Sequence, residues 1–243
     1  MKKELVNYQI SLNKSSLEDI QIKRIRTFGR IKSRKLSDNK NDLYQNKIKK
    51  YIINQNLDAD EYSKYKKFSF EIGFGYGDFI FTNALNKKDQ LFFGCEPHIN
   101  GVVSLISKLE SNNISNVKIS SNDARDVIEK FPNNFFDEIF ILFPDPWPKS
   151  KHFKRRLINA DFIDNFIANK IKKDGELIIA TDHDSYKLWI AKAVLESKNL
   201  LWTASSSSDW NDFPDDWVKT KYQKKAEIEN RKSVIFKLKK YNA

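Results

Sequence analysis

Phe68-Ser69-Phe70-Glu71-Ile72-Gly73-Phe74-Gly75-Tyr76-Gly77 carries an apolar strand pattern straight into a turn with glycine at every second position. The run 68–72 predicts a strand, and the residues through 85 predict a helix. Glycines between the two let the backbone bend sharply and approach a ligand closely. Strand, glycine turn and helix in that order open an α/β sheet. The dinucleotide fingerprint places its third glycine where this chain has Asp78, so the spacing here is G-x-G-x-G. Glu71 would also set a negative charge against a pyrophosphate, which is Coulombically unfavourable. The same charge suits a ligand carrying an ammonium and a sulfonium, as S-adenosylmethionine does.

Downstream the alternation continues. Strands are predicted at 91–95, 117–119, 136–142, 175–180, 200–203 and 234–238. Helices are predicted at 100–109, 123–129, 160–171 and 185–195. This pattern implies a Rossmann-like α/β fold: a mostly parallel seven-stranded sheet with helices on both faces. Residues 1–60 read as a basic N-terminal extension and 61–243 as the folded unit. Within the extension, 36–57 can hold a helix with Leu43, Ile48, Ile52 and Ile53 as an imperfect apolar face, and the segment around Phe28-Gly29-Arg30 reads as an extended arm.

Acids recur at the carboxyl ends of successive predicted strands. Glu96 lies 23 residues after Gly73 and can accept hydrogen bonds from both hydroxyls of a ribose. It fits an adenosine ligand without choosing between a dinucleotide and S-adenosylmethionine. Asn122-Asp123-Ala124 offers a carboxylate for an adenine amino group and a small residue beside the ring. After the fourth sheet strand comes Phe143-Pro144-Asp145-Pro146-Trp147-Pro148-Lys149. Each proline fixes φ and removes a backbone donor, so Asp145 is held on a stiff turn. Lys149, Lys151, Lys154, Arg155 and Arg156 follow, with His152 among them.

The formal net charge is +11, and its distribution is uneven. A second basic cluster comprises Lys23, Arg24, Arg26, Arg30, Lys32, Arg34, Lys35 and Lys40, opposed by Asp38 alone. Two separated clusters point to a nucleic-acid partner. Cys95 is the single cysteine, which excludes an internal disulfide and fits a reducing compartment and a small buried role. His98, His152 and His183 show no metal-ligand spacing, so no metal is expected. Neither a signal peptide nor a bilayer-spanning stretch is expected, which gives a cytoplasmic protein. Oligomeric state stays open between monomer and homodimer.

With these residues in place, the chain resembles the bacterial tRNA (guanine-N7-)-methyltransferase family. The resemblance runs over about 68–222, with an echo in the basic arm at 24–34. Its most specific element is the proline turn and the basic run through Arg156. The glycine turn, Asn122-Asp123-Ala124, Ala180-Thr181-Asp182 and Thr220-Lys221-Tyr222 follow the family's order. The resemblance implies a class I methyltransferase using S-adenosylmethionine and acting on N7 of guanine 46 in the tRNA variable loop. It assigns cofactor contacts to Glu71, Glu96, Asp123 and Asp145, beside the glycines Gly73, Gly75 and Gly77 and Ala124. It assigns tRNA contacts to Lys149, Asp182 and the segment Thr220, Lys221, Tyr222 and Gln223. Gln223 stands where the family usually has an acid, and the charged run 227–232 replaces an expected glycine-containing segment.

The N7 atom of guanine has an in-plane lone pair and no proton, so catalysis rests on alignment rather than on a general base. Attack leaves positive charge on the purine, which a fixed carboxylate can stabilise. Asp145 is expected in that role or as an anchor for the guanine edge, with Asp182 as the second candidate. Trp147 reads as a stacking platform or as packing. Lys151, Lys154, Arg155 and Arg156 are expected to meet phosphates together. Three rivals follow from the same residues: a methyltransferase acting on an exocyclic amino group, an RNA-binding protein that kept the fold but lost the cofactor, and a nicotinamide oxidoreductase.

Overall fold

The computed structural model describes residues 8–11, 21–24, 35–53 and 62–240. Two short strands, β1 (Tyr8–Ser11) and β2 (Gln21–Arg24), pair antiparallel. The main sheet holds β3 (Lys67–Ile72), β4 (Gln90–Cys95), β5 (Val117–Ser120), β6 (Phe136–Leu142), β7 (Ile171–Thr181), β8 (Leu200–Trp202) and β9 (Val234–Lys240). Its order is β5-β4-β3-β6-β7-β9-β8. The first five run parallel, and β9 inserts antiparallel between β7 and β8. The chain therefore steps outward from β3 to β5, then returns to lay β6 on the other side of β3. That reversal opens a crevice at the carboxyl ends of β3 and β6.

Side chains alternate across the sheet with period two. Phe70, Phe93, Ile139, Leu177 and Phe236 face one layer, shared with the helices α4 (Ala124–Ile128), α5 (Ala160–Phe162) and α6 (Asp184–Glu196). Phe140, Leu142, Ile178 and Ile235 face the other, where α2 (Asp78–Asn86) contributes Phe79. Next to it α2 and α3 (Ile99–Ser111) bury Ile80, Leu105 and Ile106 around Phe92. The predicted helix 160–171 differs: after Phe162 it widens into a π turn over Ile163–Ile167, tightens over Ala168–Lys170, and β7 begins at Ile171.

In the N-terminal segment α1 (Asp38–Tyr51) packs on α3. Leu43 and Ile48 face the core as the pattern predicts, whereas Ile52 is 46% exposed and bridges backbone to backbone with Ile119 on the edge strand β5. The helix is anchored instead by buried Tyr51, whose hydroxyl donates to Glu110 Oε1 at 2.6 Å, with Lys47 and Lys50 pairing the same carboxylate. The predicted end of that helix at 54–57 and the arm residues Arg26, Phe28, Gly29, Arg30, Lys32 and Arg34 lie outside the described residues. Among the described residues, no helix is long and apolar enough to cross a membrane.

Candidate active site

The glycine turn sits at one wall of the crevice. Gly73, Gly75 and Gly77 all have positive φ, at 75°, 55° and 77°. Gly77 begins α2 and packs so tightly that a β-carbon would meet Leu105 Cβ at 2.8 Å. Glu96, at the end of β4, braces the turn: Gly75 N donates to its Oε2 and His98 N to its Oε1, each at 2.8 Å. Gly101 on α3 comes up beneath, against the Gly75 carbonyl. Sequence reading passed over Gly101, which sits inside an ordinary amphipathic helix pattern.

Glu71, the last acid of β3, lines the same cavity with Gly73, Phe79, Leu142 and Thr220. Its carboxylate is buried and Oε2 has no hydrogen-bond partner. Burial first, and then the charge of Glu96, pushes its pKa up to about 8, with the Ile80 N–H opposing. Glu96 is likewise raised, by burial first, with the His98 and Gly75 N–H groups opposing and the charge of Asp145 adding to it. Two coupled carboxyls and an orphaned buried oxygen beside a glycine cradle fit a small ligand that carries positive charge. Asp123 closes the row at the end of β5. It caps α4, with Arg125 N donating to Oδ1 at 3.0 Å, and Ala124 is buried beside it. The three acids all raise the pKa of the buried Cys95 thiol between them, after burial itself.

The proline turn follows β6, the parallel neighbour of β3. Phe143 and Trp147 take φ of 51° and 42°, the left-handed region that non-glycine residues seldom occupy. Phe143 N is fixed to Ala180 O at 2.8 Å. Asp145 is exposed on this turn. Trp147 is half-buried, with the Arg155 guanidinium 4.9 Å above its ring and His152 edge-on at 5.8 Å. Lys149, Lys151 and Lys154 are exposed around the tight helical stretch Ser150–Arg155.

Arg156 corrects the sequence reading. Expected at phosphates with its neighbours, it is only 3% exposed. Its guanidinium donates to Pro146 O at 2.8 Å, Ser185 O at 3.2 Å and Ser185 Oγ at 2.8 Å. It lies 3.9 Å from the centre of the Phe153 ring. Those bonds turn the guanidinium into the protein rather than toward solvent.

Asp182, at the end of β7, is not open either. Arg231 pairs with it and also holds Glu229 at 2.6 Å. Arg231 reaches Asp182 because α7 (Lys221–Ile228) ends in a Schellman turn. Asn230 takes φ of 54°, and Arg231 N donates to Ala226 O at 2.8 Å. Asn is a residue type that takes the left-handed region more readily than most, but nothing local points Arg231 at Asp182. At the other end of α7, Thr220 Oγ1 caps Gln223 N at 3.1 Å. Lys221 and Tyr222 are exposed over the glycine turn, whereas Gln223 is buried, its Oε1 accepting from Trp217 Nε1 at 2.8 Å. The structure thus gathers Glu71, the glycines, Glu96, Thr220, Lys221 and Tyr222 around one crevice.

A family model described as "Putative methyltransferase" matches residues 66–237. A solved antibiotic-resistance methyltransferase superposes with TM-score 0.51 at 10% identity, covering 76% of this chain and 91% of its own. Fold and site together define a class I methyltransferase, with S-adenosylmethionine as its cofactor. A tRNA (guanine-N(7)-)-methyltransferase of Wolbachia pipientis wMel is 40% identical over 79% of this chain and 84% of its own length. One from Zymomonas mobilis subsp. mobilis is 38% identical over 69% and 72%. The chain belongs to the tRNA (guanine-N(7)-)-methyltransferase family.

Proposed function

We propose that this enzyme methylates N7 of a guanine in tRNA, guanine 46 of the variable loop, in the cytoplasm. The observation that carries the reading is the crevice itself. A buried carboxyl with one unpartnered oxygen lies beside the glycine cradle, and Asp145 and a basic run stand on the proline turn after the neighbouring strand.

S-adenosylmethionine, when bound, supplies an electrophilic methyl on a cationic sulfur. Glu71 answers its positive charge, and the Gly73, Gly75 and Gly77 backbone gives it room. Glu96 keeps lone pairs for the ribose hydroxyls, and Asp123 with Ala124 takes the adenine edge. Asp145 stabilises the positive charge that develops on the purine, or fixes the guanine edge beside the donor. Asp182 grips the guanine from the second turn. Lys149, Lys151, Lys154 and Arg155 meet phosphates. Of the 220–223 segment, Lys221 and Tyr222 face the tRNA, while Thr220 and Gln223 shape the helix that presents them. Residues 1–60 form an accessory segment whose basic side chains meet the tRNA, and 61–243 form the catalytic unit.

The test is methyl transfer to unmodified tRNA, followed by borohydride and aniline treatment, which cleaves at N7-methylguanine and not at amino-methylated bases. Cleavage is expected at variable-loop position 46. A methylated product that resists cleavage would overturn the reading.

A further inference from the structure

Asp145 and Asp182 sit on separate turns, after the neighbouring strands β6 and β7, whose pairing ends at Leu142 and Ala180 with Phe143 N on Ala180 O, short of both acids. Arg156 lies between those turns. Its Nε–H donates to the carbonyl of Pro146, the residue after Asp145, at 2.8 Å. Its two Nη atoms donate to Ser185 O at 3.2 Å and Ser185 Oγ at 2.8 Å, three residues beyond Asp182. Ser185 Oγ is in turn 3.2 Å from Nδ1 of His183, the neighbour of Asp182. Phe153, Tyr186 and Trp189 surround the guanidinium, with ring centres 3.9, 5.0 and 5.1 Å away. A planar five-donor fork held by aromatic faces is a rigid spacer, which the flexible ammonium of lysine is not. The turn it grips is also strained, with Phe143 and Trp147 in the left-handed region, and such a backbone persists only where its surroundings hold it.

We infer that Arg156 is a positioning residue that sets the spacing between the Asp145 and Asp182 turns and so the alignment of the guanine for transfer. The inference rests on the roles proposed for the two acids. It explains why a cation in an otherwise exposed basic run is withdrawn into the protein. A misplacement of about 1 Å costs on the order of a hundredfold in rate.

The experiment compares wild type, Arg156→Lys and Ser185→Ala. With tRNA as substrate, Arg156→Lys is expected to lower kcat by about ten- to a hundredfold. The KM for tRNA and the Kd for S-adenosylhomocysteine should stay within about twofold. Amide hydrogen exchange at Asp145 and Trp147, which needs no activity, should accelerate. Ser185→Ala keeps the serine carbonyl and should show a smaller loss of the same kind, so it carries the test if Arg156→Lys does not fold. A raised KM at constant kcat would return Arg156 to a phosphate-binding role and overturn the inference, as would unchanged exchange and turnover. Asp145→Asn and Asp182→Asn are measured in parallel. If they keep wild-type kcat while Arg156→Lys loses turnover and protection, the acids' roles fail and the Arg156 tie stands.

Discussion

A β-carbon on Gly101 would stand 2.1 Å from the carbonyl oxygen of Gly75, well inside van der Waals contact. The same β-carbon would meet Glu96 Cγ at 3.3 Å. α3 can therefore reach under the glycine turn only because position 101 has no side chain. Gly101→Ala should push the turn away from α3 and pull Gly75 N off Glu96. We expect a loss of about 1–3 kcal/mol in stability from overpacking. Affinity for S-adenosylhomocysteine should drop by about tenfold or more, as each 1.4 kcal/mol is a factor of ten. Thermal melting and calorimetric titration check both; a variant binding as wild type would show that the turn adapts freely.

Glu71 makes ligand affinity and stability depend on pH in opposite directions. Its carboxyl is raised from 4.5 to about 8 in the folded protein. Between those values the native state holds a proton that the unfolded chain has released, so stability falls as pH rises through this window and levels off above it. Glu71→Gln should flatten that slope. A cationic ligand favours the ionised carboxylate, so S-adenosylmethionine should bind more tightly as pH rises toward 8 and should release a proton at pH 7. Titrations at pH 7 in buffers of different ionisation enthalpy measure that proton. Glu71→Gln should abolish the release and weaken binding at pH 8.5 by about 10- to 100-fold, the worth of a hydrogen bond to a charged group.

The parallel strands, the glycine turn and the proline turn were legible because each is written in local pattern: apolar runs of strand length, glycines where φ turns positive, prolines where the chain stops. What escaped was set by residues far apart in sequence. Arg156 reads as one more cation until Ser185, 29 residues on, comes back to meet it. Arg231 reads as part of a charged tail until it meets Asp182, 49 residues before it. The helix 160–171 was expected to be regular, but its register is adjusted at Ile163–Ile167, which no propensity announces. Gly101 carries no turn signature at all, because its role is a contact with the backbone of another loop.

Gln223 shows how a departure from the family pattern is absorbed. It is 4% exposed and its carbonyl takes the Trp217 indole N–H at 2.8 Å, while Trp217 packs on Phe79 at 5.2 Å between ring centres. Gln223→Ala would leave that indole donor unpaired, at a cost of about 1–3 kcal/mol. It should also loosen the segment that leads into α7. Gln223→Glu keeps an acceptor and should melt closer to wild type. Equal melting temperatures for wild type and Gln223→Ala would remove the bond from any account of how Trp217 is held on Phe79.

Arg231 and Asp182 should behave as one unit in turnover. Their side chains are 36% and 15% exposed, so the pair itself is worth no more than about 1 kcal/mol of stability in solvent. If Arg231 acts by orienting Asp182, Asp182→Ala should lower kcat more than Arg231→Ala. The double variant should then be no worse than Asp182→Ala alone. Additive losses in this cycle would mean that Arg231 touches tRNA by itself.

The exposed cations after the proline turn give a prediction read in salt rather than in rate. Lys149, Lys151 and Lys154 project from one short stretch, whereas Arg156 beside them is committed to Pro146 and Ser185. Each cation that neutralises a phosphate releases counterions, contributing about 0.7–0.9 to the slope of log K against log salt. Replacing the three lysines with alanine should weaken tRNA binding and reduce that slope by roughly 2 to 3, with S-adenosylhomocysteine affinity unchanged. Deleting residues 1–35 should flatten the slope further. An unchanged slope in the triple variant would place the tRNA on another face of the enzyme.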